Sequence, residues 1–267
     1  VFTFTQINLS TGGAIIVRDS ANVTCQTQTN ITNPAAPLQL YNSSVVSFVD
    51  CFTYSVSTVE LFGGQLVVSA CAEVVITVRI TIVGGVLVVN GKTTCAGSLV
   101  LVGSGTVISG SGVLVSTGSF TWTSGIIIII EFQLRGTTII NGTVSLTVTQ
   151  LINYGSVQWI GGTIYPGTGS IVNSGTWQCA PAAGSSSLTL QTGVFVNVGV
   201  LIISTGTITF EAFVNSTGSI TVSAGSLVLN GGGHMCGCGS GGVVVVIQIN
   251  IGATLVLNTG SFTFTTG

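Results

Sequence analysis

Five consecutive residues, His234-Met-Cys-Gly-Cys238, form the densest group of potential metal ligands in the chain. Imidazole, thioether and thiolate groups bind Cu(I) or Zn²⁺. A tetrahedral site needs a fourth protein ligand, and no second spaced pair accompanies this cluster. His234, Cys236 and Cys238 are therefore weak metal candidates, and a disulfide involving one of the two cysteines is the preferred interpretation. The sequence predicts no metal and no cofactor.

Carboxyl groups are the next candidates, because glycoside hydrolysis needs two of them about 5–9.5 Å apart. Glu131 and Glu211 are separated by about four turns of the repeat described below, which is too far. Asp50 and Glu73 are about one turn apart but have no companion histidine. A Ser-His-acid triad would require His234, the single histidine of the chain. We therefore predict no catalytic residues and no enzyme activity.

The repeat that must position these residues is clearest in 103–125, where glycine and serine separate three short runs. The runs are 106–108, 113–115 and 120–122, and each is too short for a helix. In 120–122 large apolar residues alternate with threonine, as in a half-buried strand. Three such strands with their corners take about 20 residues, the length of one turn of a β-solenoid.

This pattern continues along the chain and predicts an all-β fold, a single-stranded parallel β-helix with about 20 residues per turn. Of the 38 glycines, only four precede residue 84; later ones recur at corner spacing, where glycine accepts positive φ. We expect an irregular, disulfide-stapled N-terminal part at 1–60 with a polar loop at 26–44. A regular solenoid of roughly ten turns follows at 61–267, with a Gly-rich loop at 231–242.

The composition excludes several classes of protein. Four basic and six acidic residues are the only charged side chains among 267, and the net charge is −2, so no nucleic-acid-binding surface is expected. The mean hydropathy is +0.81, but the best candidate for a transmembrane helix, 74–90, contains Arg79 and many β-branched residues, which favour strands. A surface with so little charge needs glycans or burial in an assembly to stay in solution.

Two apolar runs, 126–130 and 243–246, break the alternation. A strand that is apolar on both faces is covered on both faces. On a single-layer solenoid the outer cover is another subunit, an insertion or the N-terminal segment. Contact between subunits is the preferred interpretation.

Seven cysteines occur, and the first four are separated by 26, 20 and 24 residues, each about one turn. Equivalent positions on adjacent turns lie about 4.8 Å apart, within the Cα separation of a disulfide. We predict Cys25–Cys51 and Cys71–Cys95, with Cys51–Cys71 or four buried thiols as alternatives. Because the count is odd, one thiol is unmatched, and Cys179 is the candidate for an intermolecular disulfide. Disulfides agree with an extracellular location.

Asn-x-Ser/Thr sequons predict N-linked glycosylation, and the abundant serines and threonines are candidate acceptors of O-linked glycans. The sequons lie at Asn8, Asn22, Asn30, Asn42, Asn141 and Asn215.

Five aromatic residues allow two interpretations. They fill the core or a lateral interface, which is preferred, or they face outward and form a sugar-stacking groove. These residues are Trp122, Trp159, Trp177, Tyr154 and Tyr165.

The runs SVQWIGGTIYPGTGSIVNSGTWQ (156–178) and TGSITVSAGSLVLNGG (217–232) resemble the repeats of secreted β-helix proteins. These include autotransporter and haemagglutinin-type passenger domains of bacteria, and filament proteins of algae and other protists such as flagellar hair subunits. The resemblance covers about 84–267 and rests on Gly, Ser, Thr and Asn spacing. It implies a β-helix at the cell surface or outside the cell.

The leading hypothesis is a structural subunit of an extracellular filament, appendage or surface coat, with copies of itself as partners. Because the chain starts at Val1 and ends without a polar cap, we expect a processed or partial piece of a secreted protein, or ends capped by neighbours. The alternative is an adhesin that binds cell-surface carbohydrate. Less favoured are a polysaccharide-active β-helix and an ice-binding protein, the latter requiring threonine rows to align on one flat face. Those rows are Thr205/Thr207/Thr209, Thr121/Thr123 and Thr263/Thr265.

Overall fold

The structure is a computed structural model that describes residues 2–4, 14–26, 30–31, 37–182, 187–236, 246–258 and 260–265. All regular secondary structure in these residues is β-strand, and strands pair in parallel with strands about one turn away. Val45 pairs with Gln65, and Gln65 pairs with Val86, at separations of 20 and 21 residues. The predicted fold class, a parallel β-solenoid, is confirmed.

Contacts divide the chain into two compact units, Val1–Gln133 and Leu134–Gly267. The strands that begin in the first unit are β1 (Phe2–Phe4), β2 (Ile15–Val17), β3 (Asn22–Cys25), β4 (Asn30–Ile31), β5 (Leu38–Tyr41), β6 (Val45–Phe48), β7 (Thr53–Phe62), β8 (Gln65–Val68), β9 (Glu73–Val83), β10 (Val86–Val89), β11 (Lys92–Cys95), β12 (Ser98–Val102), β13 (Val107–Ser116), β14 (Phe120–Trp122) and β15 (Ile126–Leu134).

The strands of the second unit are β16 (Thr137–Asn141), β17 (Val144–Asn153), β18 (Ser156–Gly161), β19 (Thr163–Tyr165), β20 (Ser170–Asn173), β21 (Thr176–Cys179), β22 (Ser187–Leu190), β23 (Val194–Asn197), β24 (Val200–Ile203), β25 (Thr207–Phe210), β26 (Phe213–Ser216), β27 (Ser219–Val222), β28 (Ser226–Leu229), β29 (Gly233–Cys236), β30 (Ile247–Ile249), β31 (Thr254–Leu257) and β32 (Phe262–Thr265).

Successive turns build three parallel sheets, which we name A, B and C within each unit. In the first unit, sheet A contains β1, β3, β6, β8, β10 and the start of β13. Sheet B contains β4, the starts of β7 and β9, β11 and the end of β13. Sheet C contains β2, β5, the ends of β7 and β9, β12 and β14.

The second unit has the same three-sheet arrangement. Sheet A contains the start of β17, β19, β22, β25, β28 and β31. Sheet B contains the end of β17, β20, β23, β26, β29 and β32. Sheet C contains β16, β18, β21, β24, β27 and β30.

The alternation of side chains along each strand forms the core. In sheet A of the second unit Leu188, Ile208 and Leu227 are in register and fully buried, whereas the residues between them face outward. Phe195 and Phe210 extend this core edge to face, with ring centroids 5.0 Å apart. Burying such a side chain contributes about 1.5–3 kcal/mol, so the apolar inner faces hold the turns together.

The described residues of the N-terminal part include strands, and the disulfide Cys51–Cys71 is present there. Strand β5 (Leu38–Tyr41) lies inside the predicted polar loop 26–44, and sheets A and C begin well before residue 60. Similarly, β29 (Gly233–Cys236) occupies part of the predicted Gly-rich loop 231–242. The remainder of that loop, from residue 237, lies outside the described residues.

A ladder of buried polar side chains connects four turns of the second unit. Asn153, Asn173, Asn197 and Ser216 are in register at the ends of sheet B strands and have no exposed surface. The amide Nδ2 of Asn153 donates to Oδ1 of Asn173, and Nδ2 of Asn173 donates to Oδ1 of Asn197, both at 2.8 Å. Nδ2 of Asn197 donates to Oγ of Ser216 at 3.1 Å. Each amide also donates to a backbone carbonyl at the start of the next sheet C strand, on Thr176, Val200 and Ser219.

Glycines two residues after each ladder position let successive turns approach closely. A Cβ added to any of them would lie 2.1 Å from the carbonyl oxygen of the glycine one turn earlier, so no side chain fits at this corner. These glycines are Gly155, Gly175, Gly199 and Gly218.

We expect Asn173→Ala to lower the free energy of unfolding by about 2–6 kcal/mol. The substitution leaves one N–H of Asn153 and Oδ1 of Asn197 buried without a partner, at about 1–3 kcal/mol each. Urea unfolding followed by circular dichroism measures the loss. The control is Asn258→Ala, at an exposed position, where we expect a change within about 0.5 kcal/mol. Equal effects of the two substitutions would contradict a stabilising ladder.

Candidate functional site: the outer faces of the sheets

The outer face of sheet B in the second unit carries apolar side chains over four turns. Ile152, Val172 and Val196 are in register and half-buried. In the neighbouring row Val194 and Phe213 are in register and 36% and 41% exposed. The other outward positions on these four turns are Gln150, Ser170 and Asn215, so none of them is acidic or basic. This apolar face is a candidate for contact with another macromolecule.

This face was missed in the sequence because its members are distributed over separate turns. Each strand contributes only one or two outward valines, isoleucines or phenylalanines, which is unremarkable alone. The sequence pattern that indicates this face is an apolar residue at an outward position that recurs once per turn, about every 20 residues.

Sheet A of the second unit presents hydroxyl groups instead. One outward row consists of Ser187, Thr207, Ser226 and Thr254. The adjacent row begins with Thr163, Thr189 and Thr209. The two faces of this unit therefore differ in chemistry although both belong to the same turns.

The threonine pairs that an ice-binding face would require do not lie together. Thr207 and Thr209 belong to β25 of sheet A, whereas Thr263 and Thr265 belong to β32 of sheet B. An ice-binding function requires these threonine pairs to align on one flat face. They belong to different sheets, so we do not propose that function.

The isoleucine run at 126–130 alternates within β15. Ile126, Ile128 and Ile130 are exposed, and Ile127 and Ile129 are buried. The exposed three form a second apolar outer surface, in the first unit. Of the other predicted run, 243–246, only Val246 lies within the described residues, and it is exposed.

The aromatic residues divide into two groups. Trp122, Trp159 and Trp177 are fully buried, as the core interpretation predicts. Tyr154 and Tyr165 are exposed, and the ring of Tyr154 lies 5.5 Å from the guanidinium carbon of Arg135. A sugar-stacking groove that includes the tryptophans is therefore not present.

The disulfide of the first unit joins Cys51 to Cys71. The predicted pairs Cys25–Cys51 and Cys71–Cys95 are wrong, and the alternative pairing is found. Cys51 and Cys71 are 20 residues apart and lie in equivalent exposed connections after sheet A, with Cα atoms 4.6 Å apart. Cys25 and Cys95 lie inside strands and face the core. Separations of 26 and 24 residues exceed one turn and therefore do not bring equivalent positions together.

We expect Cys51→Ser to lower the free energy of unfolding by about 3 kcal/mol, the entropic effect of opening a loop of this length. The Cys51→Ser/Cys71→Ser double variant should lose the same amount, because the second substitution removes no further bond. Chemical unfolding without reductant measures both. A wild-type-like stability of the single variant would contradict the assignment.

Cys95 and Cys179 are buried thiols. Cys179 has no exposed surface, so its sulfur cannot reach a neighbouring chain, and the predicted intermolecular disulfide is wrong for the folded protein. Burial raises the pKa of the Cys179 thiol well above its usual range and raises the pKa of Cys95 to about 11. Both thiols stay protonated near neutral pH and are poor nucleophiles.

The raised pKa of Cys95 predicts a loss of stability at alkaline pH. The unfolded thiol ionises near its unperturbed pKa of about 8.5, but the folded thiol ionises only near pH 11. Stability is therefore fully present below the unfolded pKa and falls as pH rises toward the folded pKa, by up to about 3 kcal/mol. Burial also raises the pKa of Tyr54, to about 12, so the decline should continue above pH 10.

The free energy of unfolding, measured between pH 7 and pH 11, tests this expectation. In Cys95→Ala the slope between pH 9 and pH 11 should be shallower than in the wild type. An unchanged slope would contradict the role of this thiol.

The weak metal candidates do not form a metal site in the described residues. Cys236 is disulfide-bonded, which removes a thiolate from the set, and Cys238 lies outside the described residues. His234 is half-buried in β29. Within the described ranges no group of three or more histidine, cysteine or acidic side chains is placed to hold a metal ion.

Two acidic residues of the first unit form ion pairs between turns. Arg79 Nη2 lies 2.6 Å from Glu60 Oε1, and Lys92 Nζ lies 2.7 Å from Glu73 Oε1. Asp50 lies in the exposed connection after β6, with a positive φ of 68°. Glu73 is therefore held by a lysine one turn away, as in a structural surface pair.

The predicted glycosylation sites differ in accessibility. Three sequon asparagines are exposed: Asn22, Asn42 and Asn141. Asn215 is half-buried in sheet B of the second unit. Asn8 and the side chain of Asn30 lie outside the described residues.

Comparison of the chain with protein-family models, curated proteins and solved structures finds no match. Among the residues that the structure describes, no helix is long and apolar enough to cross a membrane. The function must therefore be argued from the surfaces of the solenoid.

Proposed function

We propose that the chain is a structural subunit of an extracellular filament, appendage or surface coat. The observation that carries this proposal is the apolar outer face of sheet B in the second unit, formed by Ile152, Val172, Val194, Val196 and Phe213. Subunits associate through this face, and the exposed isoleucines of β15 provide a second contact.

The contrast between sheets supports a specific contact surface. Sheet A of the same unit presents mainly hydroxyl groups, with Val228 and Val256 as outward exceptions, so the two sheets differ in their outward residues. Exposed contiguous apolar surface on a soluble protein marks a site of interaction. With only ten charged residues among 267, the chain also lacks the repulsion that keeps apolar surfaces apart.

An extracellular location is part of the proposal. The disulfide Cys51–Cys71 is exposed on both sides, and such bonds persist in oxidising compartments. The exposed sequons Asn22, Asn42 and Asn141 would carry glycans that keep the uncovered faces in solution. We propose no catalytic role, because Glu60 and Glu73 are each held by a basic residue one turn away.

Sedimentation velocity and electron microscopy of the purified chain test the assembly. We expect concentration-dependent association, with a dissociation constant raised at least about tenfold in Phe213→Lys, because a charge would be buried in the apolar contact. The matched control is Thr209→Lys, at an outward position of the preceding strand, β25, which belongs to sheet A. Both variants should keep the circular dichroism spectrum of the wild type.

A wild-type chain that stays monomeric at high micromolar concentration would contradict the proposed assembly. Equal effects of Phe213→Lys and Thr209→Lys would show that association, if present, does not use sheet B.

A further inference from the structure

A small pocket lies on the outer face of sheet C in the first unit. Its volume is about 310 Å³, and four successive turns contribute to it. The lining residues are Pro37, Thr58, Glu60, Val78, Arg79 and Ser98. This volume is at the lower end of the range for small-molecule sites, which suits a ligand with a single ring.

A bulge in β9 creates the pocket. Val56 pairs with Ile76 and Thr58 pairs with Arg79, so one residue of β7 faces two residues of β9. Bulges redirect side chains and bend the strand. The extra residue leaves Val78 exposed at the edge of the pocket.

An ion pair with a fixed orientation forms the polar wall. Arg79 Nη2 donates to Glu60 Oε1 at 2.6 Å, and Gln39 Nε2 donates to Glu60 Oε2 at 2.7 Å. The Glu60 side chain is 14% exposed and the Arg79 side chain is 50% exposed. A guanidinium has five N–H donors, so Arg79 keeps donors for a ligand after it has bound Glu60.

Two hydroxyl groups belong to the lining of the pocket. Thr58, which is 5% exposed, contributes the first of them. Ser98, in register with Arg79, adds a second hydroxyl.

We propose that this pocket binds one sugar unit of a neutral saccharide. Arg79 donates to the ring hydroxyls, Thr58 and Ser98 donate or accept, and Val78 with Pro37 contacts the C–H face of the ring. Glu60 neutralises Arg79, so an anionic ligand gains little attraction. Both oxygens of Glu60 already accept hydrogen bonds, so a cationic ligand finds little free carboxylate.

This site is independent of the proposed assembly surface, because it is built from sheet C of the first unit and not from sheet B of the second. It would give a structural subunit a contact with the glycans of a cell surface or matrix.

Saturation-transfer NMR and titration calorimetry on the whole chain test the site, with the methyl glycosides of glucose, galactose, mannose and N-acetylglucosamine as probes. We expect at least one glycoside to bind with a dissociation constant of about 1 mM, typical of a ligand with about a dozen non-hydrogen atoms. The Phe213→Lys variant should bind equally well, which separates this result from the assembly.

Val78→Trp should fill the pocket and weaken binding at least about tenfold. Val83→Trp is the matched control, since Val83 is an exposed valine of the same strand that does not line the pocket, and it should bind as the wild type does. Arg79→Met should also weaken binding at least about tenfold, through loss of the donors. Thermal unfolding by circular dichroism confirms that each variant is folded.

Three outcomes would overturn the proposal. The first is that none of the four glycosides binds. The second is that binding survives in Val78→Trp. The third is that acetate or glycine binds at the pocket and the glycosides do not, which would make it a site for charged ligands.

Discussion

Backbone contact between successive turns is the constraint on which the rest of the structure depends. Each strand is hydrogen-bonded to a strand about one turn away, so the chain must return to the same place every time. In the second unit, two features of the corner between sheets B and C keep successive turns in register. The Asn153–Ser216 ladder satisfies buried polar groups from turn to turn, and the glycines that follow leave room for the backbone of the preceding turn.

Strand positions could be predicted from the sequence because their signals are local. Thr207-Ile-Thr-Phe210 alternates outward hydroxyls with inward apolar residues, and glycines mark the corners beside it. The burial of Cys179 was readable in the same way, because it lies two residues after Trp177 and therefore shares its inward face. The ladder also had a visible signal, an Asn or Ser followed two residues later by glycine and repeated on four turns.

Features that depend on register could not be predicted in this way. A cysteine spacing of 26 or 24 residues is close to one turn, but the few extra residues move the side chain from a connection into a strand. The pocket at Glu60 and Arg79 depends on a single extra residue in β9, and a sequence pattern does not show such a bulge. The apolar face of sheet B required the pairing of four turns before its members became neighbours.

Inward and outward residues have separate tasks in this fold. Inward side chains must be apolar or, as in the Asn153–Ser216 ladder, must have buried hydrogen-bond partners, whereas outward side chains contact only their neighbours in the same sheet and solvent. Sheets A and B of the second unit therefore differ in surface chemistry although their cores are similar. Outward residues can therefore form an assembly surface or a ligand site without any change in the core.

The ladder also distinguishes corners with a fixed number of residues from corners that accept insertions. Between sheets B and C, two residues connect the strands wherever Asn153, Asn173, Asn197 or Ser216 occupies the ladder. One turn later Met235 takes that register position, and ten residues of the sequence separate β29 from β30. Seven residues of the sequence separate β21 of sheet C from β22 of sheet A, two strands that the ladder does not join. A lineage of such chains would therefore gain or lose whole turns, or insert loops at corners that lack the amide, while the amide corners keep a constant length.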